Sequence, residues 1–300
     1  MDTNELISLF RRNCPDIVRA EPEVRRILAL PETKTFEVRE GEHCACAVMQ
    51  KNDLLLLAVD EPLRGRGFGS GLLRQAEAYA ARFGEKITVG AGDEYLMPGV
   101  PMGKPLGENM PEVPGIPQDA ADFFWKRGYT PAWTDCFDMS MDMADFPGTD
   151  LTLGCTVKGI TYRWAVPADI PSAGACTDEA EPGFTVYTVR PSLYAPGSPE
   201  RLLVACDGDT VVGTLIVGTE SEKKDTGSIG CTAVRTAYQG RHIAVNLVVL
   251  GTALLKAQGM KQGFLGYTYT GLDKLYGHAG YRICRYFFMA EKCLVKKPEN

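Results

Sequence analysis

Four glycines in seven positions, Gly65, Gly67, Gly69 and Gly71, follow an apolar run from Leu54 to Val59. The run is short, continuous and bounded by polar residues, so it reads as a buried strand. Behind the glycines a helical period begins, with Leu72, Leu73, Ala76, Tyr79, Ala80 and Phe83 on one face and Gly84 as its stop. Strand, glycine-rich turn and helix make an anion cradle: glycines let the backbone approach a ligand, loop amides point inward, and the helix dipole adds positive potential. Each dipole contact is worth roughly 0.3–1 kcal/mol, so several amides together with Arg64 and Arg66 are needed to hold a pyrophosphate. A tight turn without a ligand would draw on the same glycines.

Spacing decides between the owners of such loops. No Gly-Lys-Ser/Thr follows, which excludes a Walker A loop, and the third glycine of a dinucleotide fingerprint would fall on Ser70. Arg64-Gly-Arg-Gly-Phe-Gly69 instead resembles the Arg/Gln-x-x-Gly-x-Gly/Ala loop of the GNAT superfamily of N-acetyltransferases. The resemblance implies an α/β fold on a mixed sheet and acetyl-CoA as co-substrate. It places the cofactor along Leu57, Ala58 and Val59, over Arg64, Gly65, Arg66, Gly67, Phe68, Gly69 and Ser70, and near Phe124 and Lys126.

The remaining pattern of the first half fits that fold. Helices are expected over Asn4–Arg19 and Glu21–Leu30. Strands are expected over Thr35–Val38, Cys44–Met49 and Leu54–Val59, turning at Glu40-Gly-Glu and Lys51-Asn-Asp. Lys86-Ile-Thr-Val-Gly reads as a parallel strand, Ala120–Lys126 as a helix and Trp133–Met143 as a closing hairpin. Between them, Met97–Pro117 is dense in proline and glycine and is expected to be irregular. A loop of this length usually has a role, here lining the acceptor pocket or covering the surface. Its phrase Tyr95-Leu-Met-Pro-Gly-Val-Pro101 resembles one in acetyltransferase domains linked to amino-sugar metabolism.

After a linker at Ala144–Asp150 the pattern restarts. Leu202–Val217 is a hairpin turning at Asp207-Gly, Ser228–Val234 a strand, and Gln239-Gly-Arg-His-Ile-Ala244 stands in the loop position before an apolar helix. Twenty residues separate Arg64 from Gly84, and twenty separate Gln239 from Gly259. Lys126-Arg-Gly-Tyr129 is answered by His278-Ala-Gly-Tyr281. Two tandem acyl-CoA N-acyltransferase (GNAT) folds are therefore expected, over 1–146 and 151–300.

The copies differ chemically. His242 stands where the first loop has Gly67, and a side chain there crowds a phosphate, so the second copy is expected to bind coenzyme A weakly or not at all. Yet Tyr276-Gly-His-Ala-Gly-Tyr281 resembles the family's Tyr-x-x-x-Gly-Phe/Tyr signature, whose tyrosine protonates the departing thiolate, where the first copy has Phe124. Tyr276 could equally be a packed helix residue with its hydroxyl in water.

An amine of pKa near 10 is about 0.1% neutral at pH 7, so the acceptor needs a base. Glu61, Asp93 and Glu94 are the carboxylates near the first cradle; Glu94 is favoured, against the alternative of a solvated loop residue. No cysteine or serine pairs with a base histidine, so direct attack by a small-molecule amine is expected. A rival reading, from Phe124 and His242, is a non-catalytic acyl-CoA sensor, and a third puts the chemistry in the second copy.

A net charge of −6 argues against nucleic-acid or anionic-membrane partners, leaving the small amine and a second copy of the chain as a homodimer. Ten cysteines without a CxxC pair and three scattered histidines suggest no metal site and a reduced, cytoplasmic protein. The first residues lack a signal-peptide pattern, and no apolar stretch reaches membrane-spanning length.

Overall fold

The structure, a computed structural model, describes residues 1–15, 17, 21–90, 94–108, 110–221, 223–269 and 271–294. Along the first part run α1 (Thr3–Asn13), α2 (Glu21–Leu28), β1 (Thr33–Glu40), β2 (His43–Gln50), β3 (Asp53–Val59), α3 (Phe68–Ala80), β4 (Lys86–Val89), β5 (Val100–Met102), α4 (Asp119–Trp125), β6 (Thr130–Pro131) and β7 (Cys136–Asp142). Then come β8 (Thr156–Val157), β9 (Ile160–Trp164), α5 (Ile170–Ala180), α6 (Thr185–Thr188), β10 (Glu200–Asp207), β11 (Thr210–Gly218) and β12 (Thr226–Val234). Last are α7 (Ile243–Ala257), β13 (Gln262–Tyr269), α8 (Asp273–Gly277), β14 (Arg282–Phe288) and β15 (Ala290–Cys293).

Two compact units result, and they do not divide the chain at the 144–150 linker. One contains 1–136 with 285–300, the other 137–284. Strand pairing is the reason. In the first unit the sheet order is β1-β2-β3-β4-β15-β6, so the C-terminal strand closes the sheet begun by the N-terminal half. It pairs antiparallel with β4 from Ala290–Val89 to Cys293–Lys86. The expected hairpin over Trp133–Met143 is consequently absent: β7 is a single strand, placed beside β13 in the second unit's order β7-β13-β12-β11-β10-β9-β8.

In the first unit α1 and α2 bury Leu6, Ile7, Leu9, Phe10, Val24 and Ile27 against Cys44, Cys46, Val48, Leu55 and Leu56 of the meander. Each buried leucine or phenylalanine contributes about 1.5–3 kcal/mol, which holds these short helices in place. α1 starts on a reciprocal cap between Asp2 and Glu5. It ends at Asn13, short of the expected Arg19; residues 16 and 18–20 lie outside the described ones. The proline-rich segment is less irregular than expected. Val100–Met102 forms β5, pairing antiparallel with Tyr286–Phe288. Beyond it, the buried Asp135 carboxylate accepts from Leu106 N–H at 2.6 Å and Gly107 N–H at 2.9 Å, and Tyr286 donates its hydroxyl to Pro111 O at 2.8 Å. Backbone groups that proline and glycine cannot pair by themselves are satisfied by these side chains.

In the second unit α5 lies on one face of the β10–β12 sheet, burying Ala173 and Cys176 on Leu202, Val204 and Cys206. α7 packs on Gly213, Leu215 and Val217. Cys44, Cys46, Cys136, Cys176 and Cys206 are buried, and burial pushes the Cys46 thiol up to about 12, so this cysteine is a packing residue rather than a thiolate. Among the described residues no helix is long and apolar enough to cross a membrane.

Candidate functional site

β3 and β4 pair in parallel at Asp53–Thr88 and Leu54–Val89, and among the described residues the pairing stops there. β4 ends at Val89, and Leu57, Ala58 and Val59 continue β3 toward the loop. Ala58 is buried, with Leu57 and Val59 half-buried. The loop turns through Gly65 at φ 73° and Gly67 at φ 88°, a left-handed conformation that costs L-residues roughly 1 kcal/mol. Gly67 is the residue before α3, and the first intrahelical bond runs from Gly71 N–H to Gly67 O at 3.0 Å. The amides of Phe68, Gly69 and Ser70 therefore precede the helical ladder and are available to an anion. A Cβ built on Gly65 or Gly67 meets nothing within 4 Å, whereas one on Gly69 reaches Val59 Cγ2 at 3.5 Å and Phe123 at 3.6 Å. The glycines at 65 and 67 thus face open space, and the one at 69 packs the helix onto the strand. This arrangement fits a pyrophosphate.

The charged residues around the loop are already engaged. Arg66 Nη2 bonds Glu40 Oε1 at 2.8 Å, and Arg64 bonds Val59 O and Asn13 Oδ1, each at 3.0 Å. Arg127, absent from the expected set, donates Nη2 to Ser70 Oγ at 2.7 Å and Nη1 to Phe123 O at 2.7 Å, with its guanidinium carbon 3.7 Å from the Phe123 ring centre. A cation held at the first turn of α3 opposes the helix dipole, a conflict that a bound anion removes. Its sequence signal was adjacent, in Lys126-Arg-Gly-Tyr129, but Lys126 itself caps the end of α4 and is exposed. Phe124 is buried on Tyr129, ring centres 5.1 Å apart, and carries no proton for a leaving group.

Glu94 is at the surface: its Oε1 and Oε2 accept from Arg26 Nη1 at 2.9 Å and Nη2 at 2.6 Å. Both oxygens of this candidate base are bound to a guanidinium. Glu61 opens a short 3-10 turn after β3, and Asp93 lies outside the described residues.

The second unit repeats the loop geometry. Gly240 has φ 75° and His242 φ 62°, in the positions of Gly65 and Gly67, and His242 is the residue before α7. Its imidazole is exposed. The preceding strand carries a bulge. Thr214 pairs with Ala233 but Ile216 with Gly230, and Cys231 takes up the extra residue at φ 50°. The next residue, Thr232, lies 3.1 Å from the Tyr276 hydroxyl, Oγ1 to Oη. Tyr276 is 4% exposed, and burial raises its pKa, keeping the phenol protonated above its ordinary range. Tyrosine, threonine and a bulged strand end thus converge before the second cradle.

Residues 174–281 match the model of the Acetyltransferase (GNAT) family. No curated protein matches the chain. Among solved structures, the GCN5-related glucosamine N-acetyltransferase region of a fungal multi-domain GH3 beta-N-acetylglucosaminidase superposes with a TM-score of 0.70 at 19% identity, over 96% of this chain and 36% of that one. This chain thus spans about a third of that enzyme's length. A GCN5-related N-acetyltransferase from Sphaerobacter thermophilus gives a TM-score of 0.63 at 20% identity, covering 97% and 91% of the two chains. A tandem GNAT protein from the clavulanic acid biosynthesis pathway gives 0.66 at 13% identity, covering 98% and 95%. At these identities the likeness is one of fold. With a left-handed glycine or histidine turn before a helix in each unit, the chain has a tandem GNAT fold, and the acetyltransferase (GNAT) family match falls on its second half.

Proposed function

We propose that the chain is an acetyl-CoA-dependent N-acetyltransferase that moves an acetyl group onto a primary amine of a small molecule by direct attack, with the cofactor held in the first unit. The observation that carries this is the open, left-handed loop at Gly65 and Gly67, with the first amides of α3 behind it. Residues 65–70 and Arg127 would hold the phosphates, and Leu57, Ala58 and Val59 would lie along the acyl arm. When bound, the cofactor supplies an activated acyl thioester. The chain's own part is to orient that arm on the edge of β3, to fix a carbonyl oxygen with strand amides and to take the proton from the amine. Glu94 can take it only when its Arg26 pair opens.

A second reading puts the chemistry in the second unit. It is favoured by the Tyr276–Thr232 contact at 3.1 Å and by the family match falling on 174–281. There the protonated Tyr276 hydroxyl would donate to the leaving thiolate. An acyl-CoA sensor without turnover is the reading from another class.

Thiol release from acetyl-CoA over a panel of amines tests all three. Glucosamine heads the panel, because of the phrase Tyr95–Pro101 and the fold shared with the fungal glucosamine N-acetyltransferase region. Turnover lost in Gly67→Val but kept in Tyr276→Phe supports the first reading; the reverse supports the second. Tight binding with no turnover on any amine supports the sensor. Light scattering checks a homodimer of the chain.

A further inference from the structure

Arg64 opens the cradle sequence, yet its guanidinium is bound within the protein. Nε donates to Val59 O and Nη2 to Asn13 Oδ1, each at 3.0 Å. Asn13, the last residue of α1, donates its Nδ2 to Asp60 Oδ1 at 2.9 Å and to Leu9 O at 3.1 Å. Asp60 is 6% exposed and also accepts from Arg12 Nε at 2.8 Å, Arg12 Nη2 at 2.7 Å and Cys44 N–H at 2.8 Å. The end of α1, the end of β3 and the first residue of the loop are therefore joined by directed, charge-assisted bonds.

The second unit makes the same connection with the charges exchanged. Arg235 directly follows β12 as Asp60 follows β3, four residues before Gln239 as Asp60 is four before Arg64. Its partner is Glu179, bonded Nη1 to Oε2 at 3.1 Å. Glu179 is the residue before the end of the eleven-residue α5, as Arg12 is in the eleven-residue α1. Arg235 also donates to Val211 O at 2.9 Å and Ser172 O at 3.2 Å, and Glu179 accepts from Thr236 N–H at 2.8 Å. An incidental surface pair would not recur at matched positions with its sign inverted. What both units keep is the link from first helix to cradle, whichever side carries the positive charge.

We propose that Asn13 and Arg64 are positioning residues of the first cradle, and that Arg64 acts through this clamp instead of by touching phosphate. A loop with glycines at 65 and 67 has backbone freedom that ligand binding must remove. Tying its first residue to α1 and to the end of β3 removes part of that freedom beforehand, which raises affinity by preorganisation. The proposal rests on the cofactor being held in the first unit.

A double-mutant cycle on coenzyme A affinity, read by titration calorimetry, tests it. Asn13→Ala and Arg64→Ala should each weaken binding by about tenfold, and the double variant by about tenfold as well, not a hundredfold. The salt dependence of binding should stay that of the parent, since no phosphate contact is lost. Losses that multiply, or a flatter salt dependence in Arg64→Ala, would overturn the proposal. If the parent binds no coenzyme A in the first unit, it is the proposed function that fails, and hydrogen exchange still reads the clamp. The Leu63 and Arg64 amides, bonded to Asp60 O at 2.8 Å and Glu61 O at 3.0 Å, should exchange about tenfold faster in Asn13→Ala. Unchanged exchange there overturns the clamp itself.

Discussion

Gly67 and His242 hold the same left-handed backbone, φ 88° and φ 62°, each as the residue before its cradle helix. The sequence differs at this corner while the turn is kept, so the difference between the cradles is one of side chain and not of path. For Gly67→Val we expect a folded protein that no longer binds coenzyme A. A built Cβ touches nothing within 4 Å, so the loss of stability comes from backbone strain alone, about 1–2 kcal/mol for a β-branched residue. Circular dichroism and calorimetry check both halves, and parent-like binding would remove the first cradle as the cofactor site.

The same corner sets the stoichiometry. Calorimetric titration of the parent with coenzyme A should give one tight site per chain, and His242→Gly should reveal a second. Two equivalent sites in the parent would mean that an exposed imidazole at the corner does not hinder the phosphates.

Asp60 makes stability depend on pH on the acid side. The hydrogen bond from Arg12, with help from Cys44 N–H and Asn13, holds its carboxyl well below the usual carboxylate range. A lowered folded pKa stabilises above the unfolded value of about 4, and the gain is lost as pH falls through the folded value. Asp60→Asn should therefore cost about 1–2 kcal/mol at neutral pH, modest because the Arg12 side chain is 42% exposed. The difference in Tm from the parent should hold from about pH 8 to 5 and shrink below about pH 4. A difference independent of pH would assign the effect to packing.

The segment beyond β5 can be separated from the strand. Replacing 104–116 with a short Gly-Ser bridge leaves Val100–Met102 paired and removes the part anchored by Asp135 and Tyr286. Steady-state kinetics should then show a raised acceptor KM with coenzyme A affinity within a few-fold. An unchanged KM would make the segment a surface covering.

Gly251 in α7 tests packing in the second unit. Alanine is favoured over glycine inside a helix by about 1 kcal/mol, but a Cβ here would stand 2.4 Å from Leu215 Cδ2 and 3.3 Å from Val217 Cγ2. Leu215 is fully buried, so a shifted rotamer would press on other core atoms, and Gly251→Ala should destabilise by about 1–3 kcal/mol. A raised midpoint in denaturant melts would show that the helix can shift outward.

Local chemistry made the cradle legible. Glycines at 65 and 67 are needed where φ is positive, apolar residues at 72, 73, 76 and 80 recur at the helical period, and the apolar run 54–59 forms a largely buried strand. The repeat followed from the same periodicities restarting at 202, which set His242 against Gly67; the left-handed turn at His242 came from the structure. Periods and glycine positions are properties of residues near one another in the chain. What the tertiary structure decided lies between residues far apart. The hairpin expected over 133–143 became one strand of the second unit, while residues 290–293 closed the first sheet, because strand partners are chosen by edges and registers that no local period encodes. Glu94 was indistinguishable in sequence from an available base until Arg26, 68 residues away, was found on both its oxygens. Arg127 gained its place at Ser70, and Arg64 turned to Asn13, through folding alone. Sequence spacing specified the turn that can receive an anion, whereas long-range packing selected which charges are left to meet it.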